Sequence, residues 1–240
     1  MLYLENFYLN SEDFRNIENF LEREHISLTE YEMYNAGNYC ILSAVQNSST
    51  HQKIYKELIF SDFNTPDKII EGFENSFDDI YKILKIANFP NQKMERIYNF
   101  AHWWKDSDLP KEVLYDAQNG REEEFNLRNQ LAKEAPGLGL KCASLYMIKC
   151  GYENIVPVDI VFIKYLKKLG YDVEIPNYKT KSGPKHKEYL ELEKVAMDLT
   201  KEEKLLELTD LQKISPAILQ AVVWRKYSTY REDALEKFHG

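Results

Sequence analysis

Residues Leu131 to Tyr171 read LAKEAPGLGLKCASLYMIKCGYENIVPVDIVFIKYLKKLGY, and this stretch decides how the rest of the chain is understood. Phe125 to Glu134 is helix-forming, Pro136-Gly137-Leu138-Gly139 breaks the pattern, and Lys141 to Cys150 resumes it. Two glycines flanking a leucine let the backbone turn sharply while Leu138 fills the gap between the two helices. Such a turn leaves backbone N–H groups pointing outward at the start of the second helix, where the helix-end partial charge favours an anion such as a nucleic-acid phosphate. A lone G-x-G between helices more often does no more than turn a corner.

Two ionisable residues behind the hairpin add chemistry. Lys141 opens the second helix, and a positive helix end disfavours the ammonium form, so its pKa is expected to fall and its amine to become a nucleophile. Asp159 follows in Val156-Pro157-Val158-Asp159-Ile160, at the N-cap position of the next apolar helix, where a carboxylate can cap and stay ionised. An amine and a carboxylate at two helix starts form a nucleophile and acid/base pair. Taken singly, a surface lysine and a capping aspartate are the commoner meanings of these residues.

At these residues the chain resembles the helix-hairpin-helix DNA glycosylases, and Gly137-Leu138-Gly139-Leu140-Lys141 with Pro157-Val158-Asp159 looks like the 8-oxoguanine DNA glycosylase/lyases among them. The resemblance implies that Lys141 attacks C1′ of the damaged nucleotide, that Asp159 assists, and that base release is followed by β-elimination through a Schiff base. It also implies that Gly137 and Gly139 hold a DNA phosphate, with a monovalent cation on the hairpin carbonyls and no organic cofactor. Leu42-Ser43-Ala44-Val45-Gln46 looks like the family's LSAQ-type segment with one residue inserted, so Gln46 or Asn47 is the amide that would meet the orphaned partner base. A polar interhelical loop is an equally good account of that tract. In the last helix Gln220 and Trp224 lie four apart on one face, similar to the Asp-x-x-x-Trp face with which prokaryotic relatives hold the flipped purine, although glutamine stands here in place of aspartate.

The chain has 240 residues, 44% hydrophobic and 29% charged, the profile of an ordinary globular protein. A net charge of -8 is unfavourable for binding DNA, so a local basic face is needed. The run KTKSGPKHK at 179–187 is one candidate, and a solvated lysine-rich loop is its simpler meaning. Three cysteines, Cys40, Cys142 and Cys150, without paired spacing suggest neither disulfides nor zinc, and are too few for the four-cysteine iron–sulfur loop of some relatives. No basic leader or long apolar run is evident, which gives the expectation of a cytoplasmic, nucleoid-associated protein that does not enter membranes.

Further helices are expected after Ser11, after Ser27 with Glu30 as a capping box, from His51 to Phe60, after Thr65-Pro66 with a stripe running on through Phe77 to Leu84, after Pro90, from Pro110 to Ala117, near His186, near Thr200 with Glu203 as a second box, and after Ser215-Pro216. His102-Trp103-Trp104 is assigned to packing. With no alternating strand pattern, the fold class is all-α. We expect one helix-hairpin-helix glycosylase-like globule over 1–240, with hairpin and catalytic segment at 125–171, base-pocket helices at 184–240, and two helical lobes around a cleft. It would act as a monomer on double-stranded DNA containing an oxidised base. The alternatives are a glycosylase/lyase for another oxidised base, a non-catalytic helix-hairpin-helix DNA-binding module, and a helical interaction protein without nucleic acid.

Overall fold

The computed structural model describes residues 29–44, 48–120, 122–174, 184–201 and 214–228. Among them the chain forms eleven α-helices and no strand. It divides into two units, His25–Tyr152 on the one hand and Met1–Glu24 with Glu153–Gly240 on the other.

The unit His25–Tyr152 carries α1 (Glu30–Ser43), α2 (Ser48–Phe60), α3 (Pro66–Asn75), α4 (Phe77–Leu84), α5 (Pro90–Asp106), α6 (Leu109–Asn119), α7 (Glu124–Glu134) and α8 (Leu140–Lys149). Helix α1 is its centre: Met33, Tyr34, Cys40, Ile41 and Leu42 are buried, and α2, α5, α6 and α8 all pack against it. From Met33 to Leu42 nearly every residue is buried whichever side of the helix it lies on, Asn35 and Asn38 included, which makes α1 the inner helix. It begins two residues later than the Ser27/Glu30 pattern suggests. Thr29 is the N-cap, its Oγ1 accepting from Glu32 N at 3.2 Å, while the Glu32 carboxylate accepts from Thr29 N at 2.9 Å. Ser27 lies outside the described residues. Thr65 caps α3 with Pro66 in its first turn, as the sequence suggests, and the stripe that continues into Phe77 is interrupted at Ser76, where φ −142° and ψ 40° separate α3 from α4.

The aromatic run at the end of α5 packs inward. Phe100 stacks on Tyr34 at 5.7 Å between centroids and on Trp103 at 5.5 Å, and Trp104 meets Tyr34 edge-on at 5.5 Å.

In the second unit lie α9 (Ile160–Lys168), α10 (His186–Leu199) and α11 (Pro216–Ser228). Ser215 starts α11, its Oγ accepting from Ile218 N at 3.2 Å, and Ala217 N donates to Glu153 O at 3.0 Å, which ties that helix start to the first residue of the segment. Helices α9 and α11 pack together, with Tyr165 and Tyr227 rings 5.9 Å apart. Thr200 closes α10 as its C-cap, and the remainder of the box expected with Glu203 lies outside the described residues, as do the helix after Ser11 and residues 179–183. No helix among the described residues is long and apolar enough to cross a membrane.

Candidate active site

The hairpin forms where the glycines place it, each for a different reason. Gly137 takes φ 83°, a backbone that favours glycine, and a Cβ there would lie 3.1 Å from Ile41 Cγ1 and 3.2 Å from Arg96 Cβ, close enough that these neighbours would have to give way slightly. Between the glycines Leu138 is buried at 1% exposure, its N–H donating to Ala135 O at 3.1 Å. Gly139 has an ordinary extended backbone, φ −68° and ψ 173°, and a Cβ on it would meet nothing within 4 Å. It is the N-cap of α8 and brings no capping side chain, so the first-turn N–H groups of Leu140, Lys141 and Cys142 face outward without an intrahelical acceptor. Behind the turn, the buried Arg128 guanidinium donates to Ser144 Oγ at 2.8 Å and fixes α7 against α8.

Lys141 stands in that first turn, half-buried. Its neighbour Cys142 points back into the unit and donates through Sγ to Cys40 O at 3.5 Å, at the C-terminal end of α1. The other carbonyls of that end are met from elsewhere. His51 Nε2 lies 3.0 Å from Tyr39 O, Ala44 N donates to Ile41 O at 3.4 Å, and Lys93 Nζ donates to Leu42 O at 2.7 Å.

Burial dominates the ionisation of these groups. It lowers His51 to about 4, with the Tyr39 carbonyl opposing and the cations of Lys93, Lys149 and Lys141 adding to the fall. Lys93 is lowered to about 8 by burial and by Arg96. The Cys142 thiol is raised by burial against the pull of Lys141, Arg96 and Lys93, Cys150 is raised to about 12 for the same first reason, and Cys40 is also held up by burial. The cysteines are therefore neutral core residues. Among the described residues no cluster of His, Cys, Asp and Glu has the makings of a metal site. What does gather here is positive charge: Lys93, Arg96 and Lys141 lie around Cys142 at the hairpin end of α8, and Lys149, 4.2 Å over the Tyr39 ring, stands at the other end of that helix, in a chain whose net charge is -8.

Asp159 belongs to the second unit. It is the N-cap of α9, with Oδ1 accepting from Phe162 N at 2.8 Å and the residue 8% exposed, as the Val156–Ile160 pattern suggests. The extended residues before it are gripped by α10. Tyr189 Oη donates to Val156 O at 2.8 Å and accepts from Val158 N at 3.2 Å, and Glu193 Oε1 accepts from Val156 N at 3.3 Å.

Gly137, Gly139 and Lys141 thus share one turn of the first unit, while Asp159, Gln220 and Trp224 lie on two packed helices of the second. On α11, Gln220 is buried and Trp224 is 41% exposed. Gln46 and Asn47 lie outside the described residues. Sequence reasoning passes over Lys93, His51, Tyr189 and Glu193. The signal that could find them is a polar residue inside an apolar stripe, as with Glu193 among Tyr189, Leu192, Ala196 and Leu199.

The 8-oxoguanine DNA glycosylase family matches the chain over residues 13–205. No curated protein matches it. Among solved structures, the 8-oxoguanine DNA glycosylase of Thermotoga maritima is 20% identical and superimposes with a TM-score of 0.66, covering 90% of this chain and 90% of that one. The 8-oxoguanine DNA glycosylase of Methanocaldococcus jannaschii is 18% identical with a TM-score of 0.60, covering 92% of this chain and 85% of that one. A Methanocaldococcus jannaschii 8-oxoguanine glycosylase/lyase in complex with a 15mer DNA containing 8-oxoguanine is 18% identical with a TM-score of 0.61, covering 94% of each. At such identities the solved structures establish the helix-hairpin-helix fold, and the family match establishes the lineage. The chain belongs to the 8-oxoguanine DNA glycosylase family and is a DNA N-glycosylase of DNA repair.

Proposed function

We propose that this protein removes 8-oxoguanine from duplex DNA with Lys141 as nucleophile and Asp159 as its proton-handling partner, and then cuts the strand by β-elimination. The observation that carries the reading is Lys141 in the first turn of α8, directly behind an N-cap glycine that offers bare amides and open space. The lysine amine forms a bond to C1′ as the glycosidic bond breaks and the base leaves with a proton. Opening of the sugar gives a Schiff base, and loss of a C2′ proton from it expels the 3′ phosphate. The Asp159 carboxylate, the N-cap of α9, is the group assigned to receive and return those protons.

The Gly137–Gly139 turn and the amides behind it suit a DNA phosphate, and the exposed Arg96 beside Gly137 suits the polyanion. The damaged nucleotide must leave the stack to be reached. A monovalent cation at the hairpin would use backbone carbonyls; Ala135 O and Gly139 O each accept one N–H there and keep a second lone pair. Borohydride added during turnover should trap the protein covalently on 8-oxoguanine DNA, and Lys141→Gln should abolish the trapped species while DNA binding stays measurable. Normal trapping by that variant would falsify the assignment.

A further inference from the structure

The four residues before α9 have no sheet to belong to, yet they are buried, and a buried backbone polar group left unpaired is destabilising. Pro157 has no N–H to offer, so the segment's hydrogen bonds fall on its neighbours. Two side chains of α10, four residues apart and so on one helix face, supply the partners. Tyr189 Oη bridges Val156 O and Val158 N, and Glu193 Oε1 takes Val156 N. Both are buried, at 2% and 3% exposure. The residue that follows Val158 is Asp159, whose carboxylate is held on its other side by Phe162 N.

We infer that Tyr189 and Glu193 are positioning residues for Asp159, fixing the backbone immediately ahead of it so that its carboxylate keeps one orientation. This rests on the reading that Asp159 takes part in the reaction. A phenol that both donates and accepts defines two backbone atoms at once. An aliphatic residue in its place could fill the volume but would leave Val156 O and Val158 N free to rotate away. A shift of about 1 Å in a catalytic group can cost on the order of a hundredfold in rate. A contact that only supports the fold would show in melting temperature and have no such selectivity.

The experiment uses the full chain and measures single-turnover excision with enzyme in excess, affinity for the 8-oxoguanine duplex, thermal unfolding, and amide exchange at Phe162. Tyr189→Phe should slow excision on the order of tenfold or more, leave duplex affinity within about twofold, and speed exchange at Phe162, whose N–H reports where the Asp159 carboxylate is. Glu193→Gln keeps an oxygen for Val156 N and should recover most of the rate that Glu193→Ala loses. On an Asp159→Asn background Tyr189→Phe should add little further loss, because the group it positions is gone. Full additivity on that background, a normal rate for Tyr189→Phe, or equal damage from Glu193→Gln and Glu193→Ala would each overturn the inference. An active Asp159→Asn would instead sink the underlying assignment, an outcome read from that variant alone.

Discussion

Lys93 Nζ donates a 2.7 Å hydrogen bond to the carbonyl oxygen of Leu42, joining the first turn of α5 to the last turn of α1 across 51 residues of sequence. Helix ends leave carbonyls unpaired, and a buried one must be met by something. Although burial lowers its pKa to about 8, the amine remains mostly protonated at pH 7, so the bond is charge-assisted.

Lys93→Met should therefore destabilise the protein at pH 7 by about 1–3 kcal/mol, the cost of an unpaired buried acceptor partly offset by removing a buried cation. Urea unfolding checks this. An unchanged midpoint would show that the end of α1 holds without it.

His51 makes the acid limb of stability readable. Its folded pKa is about 4 against an ordinary 6.5, so between those values the unfolded chain binds the proton that the fold refuses. That contribution is fully present above pH 6.5 and is lost as the pH falls toward 4. Against a His51→Gln variant, which cannot titrate, the wild type should lose up to about 3 kcal/mol between pH 7 and pH 4. Parallel curves for the two proteins would mean that the imidazole protonates freely in the fold.

Arg96, exposed on α5 with its Cβ against Gly137, is placed to meet the phosphate assigned to the hairpin. Arg96→Ala should weaken binding to damaged and undamaged duplexes alike and reduce the slope of log K against log salt by about one. A loss confined to the lesion duplex would move Arg96 from backbone contact to base recognition.

On α11 the purine-pocket assignment separates two residues by role. Trp224, 41% exposed, offers a ring for stacking worth on the order of 1–3 kcal/mol per base, so Trp224→Ala should weaken lesion binding and excision generally. Gln220 can accept the extra N7 hydrogen of 8-oxoguanine where guanine presents a lone pair, a mismatch of roughly 1–3 kcal/mol. Gln220→Ala should chiefly erode the preference for 8-oxoguanine over guanine. Excision from 8-oxoguanine, guanine and thymine-glycol duplexes measures both, and a wild-type preference for thymine glycol would replace the purine pocket with the oxidised-pyrimidine alternative.

Features written in neighbouring residues are legible in the sequence itself. The Asp159 cap, the Thr65-Pro66 helix start and both arms of the hairpin each depend on contacts within four positions, and all stand where the sequence puts them to within a residue or so. Ambiguity enters where one local pattern occurs twice: Ser27 with Glu30 and Thr29 with Glu32 both satisfy the capping-box spacing, and only the packing around α1 selects the second. Lys93, His51, Tyr189 and Glu193 are not legible as supporting residues because their partners lie 12 to 51 positions away, at carbonyls and amides that carry no side-chain signature. Lys93, Arg96 and Lys141 at the hairpin end of α8 are similarly separated along the chain and are gathered only by folding.

Gly139 remains, with its ordinary φ and the empty space beside it. An alanine would fit that backbone, but glycine is much the better N-cap, so the stabilisation of about 0.4–1 kcal/mol from a less free unfolded chain is offset by the poorer cap and stability should change little. The fold by itself thus gives glycine little net advantage over alanine at this position, and what Gly139 adds is a bare surface beside the first amides of α8. Gly139→Ala is accordingly a separation-of-function allele: it should melt close to the wild type, and its defect should show when a DNA backbone tries to come close.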